Sequence, residues 1–164
     1  MNDSSVVSSV AALEALYAAP SARAASKPVT ELNETLQRKI EKSSLCVIAS
    51  VGPQGVDCSP RGDAPGDLVK VLDANTLAIP DRPGSNRLDT ARNVIANGHI
   101  GLWFLSSESK ESVRVMGNAH ISTDTRLLDQ FVLNEKRPVT VLVVRIHQVA
   151  LHNDRAIRRS GLFD

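Results

Sequence analysis

Arginine is the residue type whose positions suggest chemistry, because a planar guanidinium can grip a phosphate or carboxylate through two parallel hydrogen bonds. The chain holds 13 Arg against 6 Lys, a ratio that an Ala- and Arg-rich codon bias would also produce, so position has to separate the two causes. In "DCSPRGDAPG" (Asp57 to Gly66), Ser59 and Arg61 lie two apart and share one face of an extended strand. A hydroxyl and a guanidinium can converge there on one anion, although Arg61 can equally pair with Asp63. In "IPDRPGSNRLDTARNV" (Ile79 to Val94), a strand end, a Pro-Gly turn and a helix start are crowded with Arg82, Ser85, Asn86, Arg87 and Arg92. A helix start offers unpaired N–H groups and a partial positive charge, which suit a phosphate. The competing reading pairs Arg82 and Arg87 with Asp81 and Asp89, each pair contributing about 0–1 kcal/mol at a surface.

Two further stretches are weaker. "ESVRVMGNAHI" (Glu111 to Ile121) puts Ser112, Arg114 and Met116 on one strand face and Val113 and Val115 on the other, with Gly117 as a bulge candidate. The tail "HNDRAIRRSGLFD" carries Arg155, Arg158 and Arg159, where helix C-termini favour arginine on dipole grounds alone. Other chemistries lack their residues. His99, His120, His147 and His152 are scattered, and Cys46 and Cys58 do not have the spacing of a zinc or redox pair. No metal is expected, no serine sits in Gly-x-Ser-x-Gly, and no catalytic residue can be assigned.

These positions require strands and one helix to hold them. "LCVIASV", "VDCSP", "LVKVLD", "TLAIP", "HIGLWFL", "SVRVMGNAHIS" and the run from Val139 to His152 read as strands with turn signals between them. A helix from Ser85 or Asn86 to Asn97-Gly98 interrupts them, and a short one spans Thr125 to Leu133. Before Ser43 the pattern is helical: an amphipathic helix from Ser4 to Ala19, stopped by Pro20, and a second capped by Thr30 with Leu32, Leu36 and Ile40 inside. Strands that do not alternate with helices speak against a doubly wound sheet and for an antiparallel barrel, closed or half-closed, with helices outside.

Composition sets the outer limits. The 164 residues suffice for one core, and a formal charge of +1 provides no long-range field for nucleic acid or anionic lipid, so any anion must be held locally. No run of eighteen apolar residues and no basic-then-apolar leader occurs in the sequence, so a cytoplasmic protein that spans no membrane is expected.

Taken in order, "CSPRGD", "LAIPDRPGSNRLDTARNVIANGHIGLWFL", "SVRVMGNAHI" and "HNDRAIRRSGLF" resemble the pyridoxamine 5′-phosphate oxidase-related, FMN-binding split-barrel proteins, in particular their probable FMN-dependent enzyme branch. The resemblance covers Leu45 to Phe163. It implies a mainly β fold, a six-stranded antiparallel split β-barrel with peripheral helices over residues 43–164, preceded by N-terminal helices and a linker over 1–42. It implies a homodimer with FMN at the subunit interface. Ser59, Pro60 and Arg61 would meet the ribityl chain and phosphate, and Ile79, Pro80 and Asp81 the isoalloxazine and ribityl. Asn86 and Arg87 would take the phosphate, with Arg82 or Arg92 as further candidates. Ser112 would reach the flavin edge from the other subunit, and Arg158 or Arg159 would approach from the tail. The implied activity is FMN-dependent oxidoreduction by hydride transfer through flavin N5, on an unknown small-molecule substrate. The resemblance stops short of the vitamin B6 oxidases proper, whose Arg-Lys pair and C-terminal substrate motif are replaced here by Leu88-Asp89 and "RRSGLFD". A flavin-storing module, or a relative binding haem or a deazaflavin, is the alternative.

Overall fold

A computed structural model describes residues 6–19, 28–84, 86–109, 111–153 and 155–161, without the side chains of Asn153 and Arg158. Seven strands form a single antiparallel sheet: β1 (Leu45–Gly52), β2 (Gly55–Gly62), β3 (Lys70–Asp73), β4 (Thr76–Asp81), β5 (His99–Leu105), β6 (Glu111–Ser122) and β7 (Thr140–Asn153). Their order is β2-β1-β5-β6-β7-β4-β3. The expected count of six is therefore corrected to seven. The additional strand is the four-residue edge strand β3, which pairs with β4 through Lys70↔Ala78 and Val71↔Leu77 before its register shifts at Asp73.

Sequence alternation explains which face of each strand turns inward. In β6 the even-numbered Arg114, Met116, Asn118 and His120 are exposed while Val113, Val115, Gly117 and Ala119 are buried. The inner faces of the central strands meet in one core built on Ile48, Phe104, Val115, Leu77, Val144 and their neighbours. The sheet stays open in its hydrogen bonding but coils, so that Arg61 on edge strand β2 comes within 4.0 Å of Asp81 on β4. Gly117 makes the coil possible: the register shifts between Met116 and Gly117, and a Cβ at 117 would lie 2.1 Å from the Arg145 carbonyl oxygen of β7.

Five helices occur among the described residues: α1 (Val10–Glu14), α2 (Glu34–Glu41), α3 (Asp89–Asn97), α4 (Thr125–Asp129) and α5 (Arg155–Ser160). Of the helix expected over Ser4 to Ala19, Ser4 and Ser5 lie outside the described residues, and the described part is helical only over the five residues of α1, none of which is buried; a helix this short gains little without packing. α2 starts later than expected. Asn33, not Thr30, is its N-cap, accepting a hydrogen bond from the Leu36 N–H at 3.0 Å. Leu32, Leu36 and Ile40 belong to the main core, so that core begins ahead of residue 43. α4 ends at Asp129, ahead of the expected Leu133.

α3 is the element that positions the site. It connects β4 to β5 and packs on β1, β2 and β6. Asn93 donates from Nδ2 to the buried Ser50 Oγ at 3.0 Å, and the approach is so close that a Cβ on Gly52 would lie 1.9 Å from Asn93 Oδ1. Gly98, at φ 77°, ends the helix in the left-handed conformation that glycine adopts without cost. No described helix is long and apolar enough to cross a membrane.

Candidate functional site

Three pieces of chain meet at one cavity. β2 contributes alternate residues Asp57, Ser59 and Arg61, all half-buried, as the two-residue strand period requires. Ser59 Oγ donates to Asp57 Oδ2 at 3.0 Å, and Arg61 donates from Nη1 to its neighbouring Pro60 carbonyl at 3.1 Å. The end of β4 brings Pro80 and Asp81, with Ile79 buried beside them. Asn86, in the left-handed region at φ 55°, turns the chain into α3. Asp57, Ser59, Arg61, Asp81 and Asn86 enclose a cavity of about 600 Å³, which Arg82, Arg87, Asp89 and Thr90 also line, whereas Ile79 and Pro80 lie outside its lining. A smaller niche of about 30 Å³ lies between Arg61, Pro80, Asp81 and Thr90.

The start of α3 faces this space without a side-chain cap. The N-cap position is Leu88, whose side chain makes no capping bond, and the expected cap Asn86 lies ahead of it; Ser85, the other cap candidate, lies outside the described residues. Two positions beyond Leu88, at the second residue of α3, Thr90 is 7% exposed and its Oγ1 is the sole buried side-chain polar atom without a hydrogen-bond partner among the described residues. An unpaired buried hydroxyl costs about 1–3 kcal/mol; Thr90 lines both the cavity and the niche, while its Oγ1 is itself covered in the ligand-free chain. Thr90 was missed from sequence because a threonine in the first turn of a helix ordinarily packs or back-bonds; only the cavity gives it meaning.

Arg82 lines this cavity too, but its guanidinium is already engaged. Its Nε donates to Asp63 Oδ2 at 2.9 Å, Nη2 donates to the Asp67 carbonyl at 3.1 Å, and Nη1 to the Phe131 carbonyl. Each nitrogen of the guanidinium thus has an acceptor, and Arg82 ties the β2–β3 loop to the turn after α4. That pairing also takes the Asp63 carboxylate expected for Arg61, which sits instead 4.0 Å from Asp81. Arg87 pairs with Asp89 at 3.2 Å, as the simple surface reading anticipated, with its side chain 81% exposed. Arg92 is likewise exposed, 4.0 Å from Asp89, and lines neither cavity.

Ser112 and the tail lie elsewhere. Ser112 is buried and accepts a hydrogen bond from Trp103 Nε1 at 2.7 Å. In register it faces His152, near the C-terminal end of β7, whereas Asp81 faces Thr140 at the start of the same strand. α5, with Arg159 exposed, follows β7 at that far end. Within one chain, therefore, neither Ser112 nor Arg159 joins the cavity. Arg158 belongs to α5, and its side chain lies outside the description.

The sequence profile of the pyridoxamine 5′-phosphate oxidase family matches residues 32–153, the whole sheet and the helices that flank the cavity. The chain belongs to the pyridoxamine 5′-phosphate oxidase family. No curated protein sequence matches it. Among solved structures, this family member is similar to HupZ of Group A Streptococcus, with 17% identity over 75% of this chain and 95% of that one at a TM-score of 0.61. It is also similar to a Lactobacillus delbrueckii protein named as a candidate pyridoxamine 5′-phosphate oxidase, with 21% identity over 76% and 98% at 0.56. General Stress Protein 26 of Bacillus anthracis matches with 15% identity over 69% and 87% at 0.50. At such identities the likeness is one of fold.

Proposed function

We propose that this family member is an FMN-dependent oxidoreductase whose cofactor phosphate sits at the start of α3. The observation that carries the reading is the unpartnered Thr90 hydroxyl, buried beside a cavity of about 600 Å³ at an uncapped helix N-terminus. The size falls in the range of ligand pockets. When bound, the flavin supplies two-electron hydride chemistry at its N5. The chain supplies binding and orientation. Arg61 and Arg87 donate charge-assisted hydrogen bonds, worth about 1.5–3 kcal/mol each, while Thr90 Oγ1 and the first N–H groups of α3 complete the phosphate shell. Asn86 orients the turn, Ser59 and Pro60 line the ribityl path, and Ile79, Pro80 and Asp81 form the wall beside the ring. Arg82 acts as the clamp that holds the turn, and Arg92 is solvated.

The homodimer is part of the same reading: Arg159, which the resemblance brings to the flavin, lies far from this cavity within one chain, whereas Ser112 is buried and engaged by Trp103 Nε1. A face for that copy exists: Trp103 and Met116 are 38% and 39% exposed on the outer side of β5 and β6, beside Val47 and Ala49 of β1. The test is the absorption spectrum of the purified protein before and after FMN addition and dialysis. Flavin bands that bleach with dithionite or a reduced nicotinamide are expected, and Arg87→Ala weakens FMN binding about tenfold. A colourless protein whose melting temperature FMN does not raise overturns the reading.

A further inference from the structure

A second cavity, of about 340 Å³, lies between α2 and the β5–β6 turn and shares no lining residue with the flavin cavity. Its floor is apolar, formed by Phe104 and Val113, which face each other across β5 and β6. One wall is the last turn of α2, with Arg38, Lys39 and Lys42; the other is the serine-rich turn, with Ser106, Glu108 and Ser109.

The charges of this cavity are not internally balanced. Lys39 is matched by Glu111, Nζ to Oε2 at 2.7 Å, which closes one end by tying α2 to β6. Arg38 spends only its Nε, on the Glu34 carbonyl at 3.3 Å, so neither its terminal nitrogens nor Lys42 meets a carboxylate among the described residues. Glu108 offsets one of these two cations and leaves a surplus of one. Ser106, 8% exposed, accepts at Oγ from the Glu108 N–H at 3.2 Å and keeps its own O–H proton for another acceptor. A positive wall over an apolar floor, with a buried hydroxyl donor opposite, matches a ligand that has a flat apolar body and one anionic head. Cations gathered at the last turn of a helix also complement its dipole, but that role requires neither a cavity nor an apolar floor.

We propose that this cavity is a second binding site, for a small organic monoanion with an apolar body, independent of the flavin site. The head is held by Arg38 and Lys42, the body rests on Phe104 and Val113, and Ser106 donates to the ligand. The experiment is amide-resolved NMR titration of the full chain, saturated with FMN where FMN binds, using 2-naphthoate, acetate and the neutral naphthalene-2-methanol as probes. 2-Naphthoate is expected to shift the amides of residues 38, 42, 104, 106 and 113, at least tenfold more tightly than acetate or the alcohol. The double variant Arg38→Ala/Lys42→Ala, altered at exposed positions, is expected to lose at least tenfold in 2-naphthoate affinity while FMN binding stays unchanged. Equal binding of the three probes, shifts confined to other residues, or an unaffected double variant overturns the proposal. Because the shifts are read at residues outside the flavin cavity, a failure of FMN to bind leaves this result interpretable on its own.

Discussion

Thr90 is the residue whose substitution separates ligand binding from folding. Thr90→Val keeps the shape and removes an oxygen that has no partner. The ligand-free protein should then be as stable as before, or more stable by up to about 1–3 kcal/mol, while FMN binds about tenfold more weakly. Thermal melts with and without FMN read both signs in one experiment; a loss of stability in the ligand-free protein would show that the hydroxyl has a structural partner. The cysteines give a second contrast. Cys46 is fully buried, and that burial pushes its thiol up to about 12, against lowering by the Trp103 backbone hydrogen bond and the Arg61 charge, whereas Cys58 is exposed. Cys46 should resist a thiolate-seeking reagent in the native state and react once the chain is unfolded. The raised folded value also fixes a sign. The unfolded thiol ionises near its ordinary 9.0 while the folded one stays protonated, so this group's contribution to stability is complete below about 9 and is lost as pH rises toward 12.

Among the elements, the β6–β7 pair and α3 carry the architecture. Gly117→Ala would drive a Cβ into the Arg145 carbonyl oxygen of β7, a backbone atom that cannot swing aside. A destabilisation above about 2 kcal/mol is expected, about 4–8 °C in melting temperature for a chain of this size. An unchanged melting temperature would mean that the bulge re-forms elsewhere in the ladder. The strands themselves were legible in sequence because alternation of buried and exposed side chains has a period of two along β1 and β6. The helices were less so. α1 and the turn after it display an apolar stripe at helical spacing, Val10, Leu13 and Leu16, yet all three are exposed, since nothing described in this chain packs over them. β3 was readable as a strand, but whether so short a segment joins the sheet depends on β4 lying beside it.

For the whole molecule, the proposed dimer uses the outer face of β1, β5 and β6, and a substitution there tests it. On the dimeric reading, Met116→Glu places a charge on that face and should give a monomer by size exclusion, with FMN occupancy falling alongside and far-UV dichroism unchanged. A variant that remains dimeric would move the interface to another surface. Loss of FMN without loss of the dimer would separate the flavin site from the interface. Met116 suits this test because it is 39% exposed, so the substitution leaves the core intact.

By itself the sequence determined the strand-rich class, the turns, the end of α3 at Asn97-Gly98 and, through "SPRGD" and "IPDRPGSNR", the family. Those features are local: they depend on side-chain alternation, on proline and glycine backbone limits and on short motifs. Tertiary structure alone decided which arginines are spoken for. Arg61, Arg82 and Arg87 look alike along the chain, but folding brings Asp63, Asp67 and Phe131 around Arg82 and leaves Arg61 at the cavity with a carboxylate 4.0 Å away. Partners 15 to 49 residues distant set those roles, and the same long-range packing buried Thr90 without a partner. A hydrogen bond is a matter of position in space, and chain order constrains that position only after the sheet has coiled.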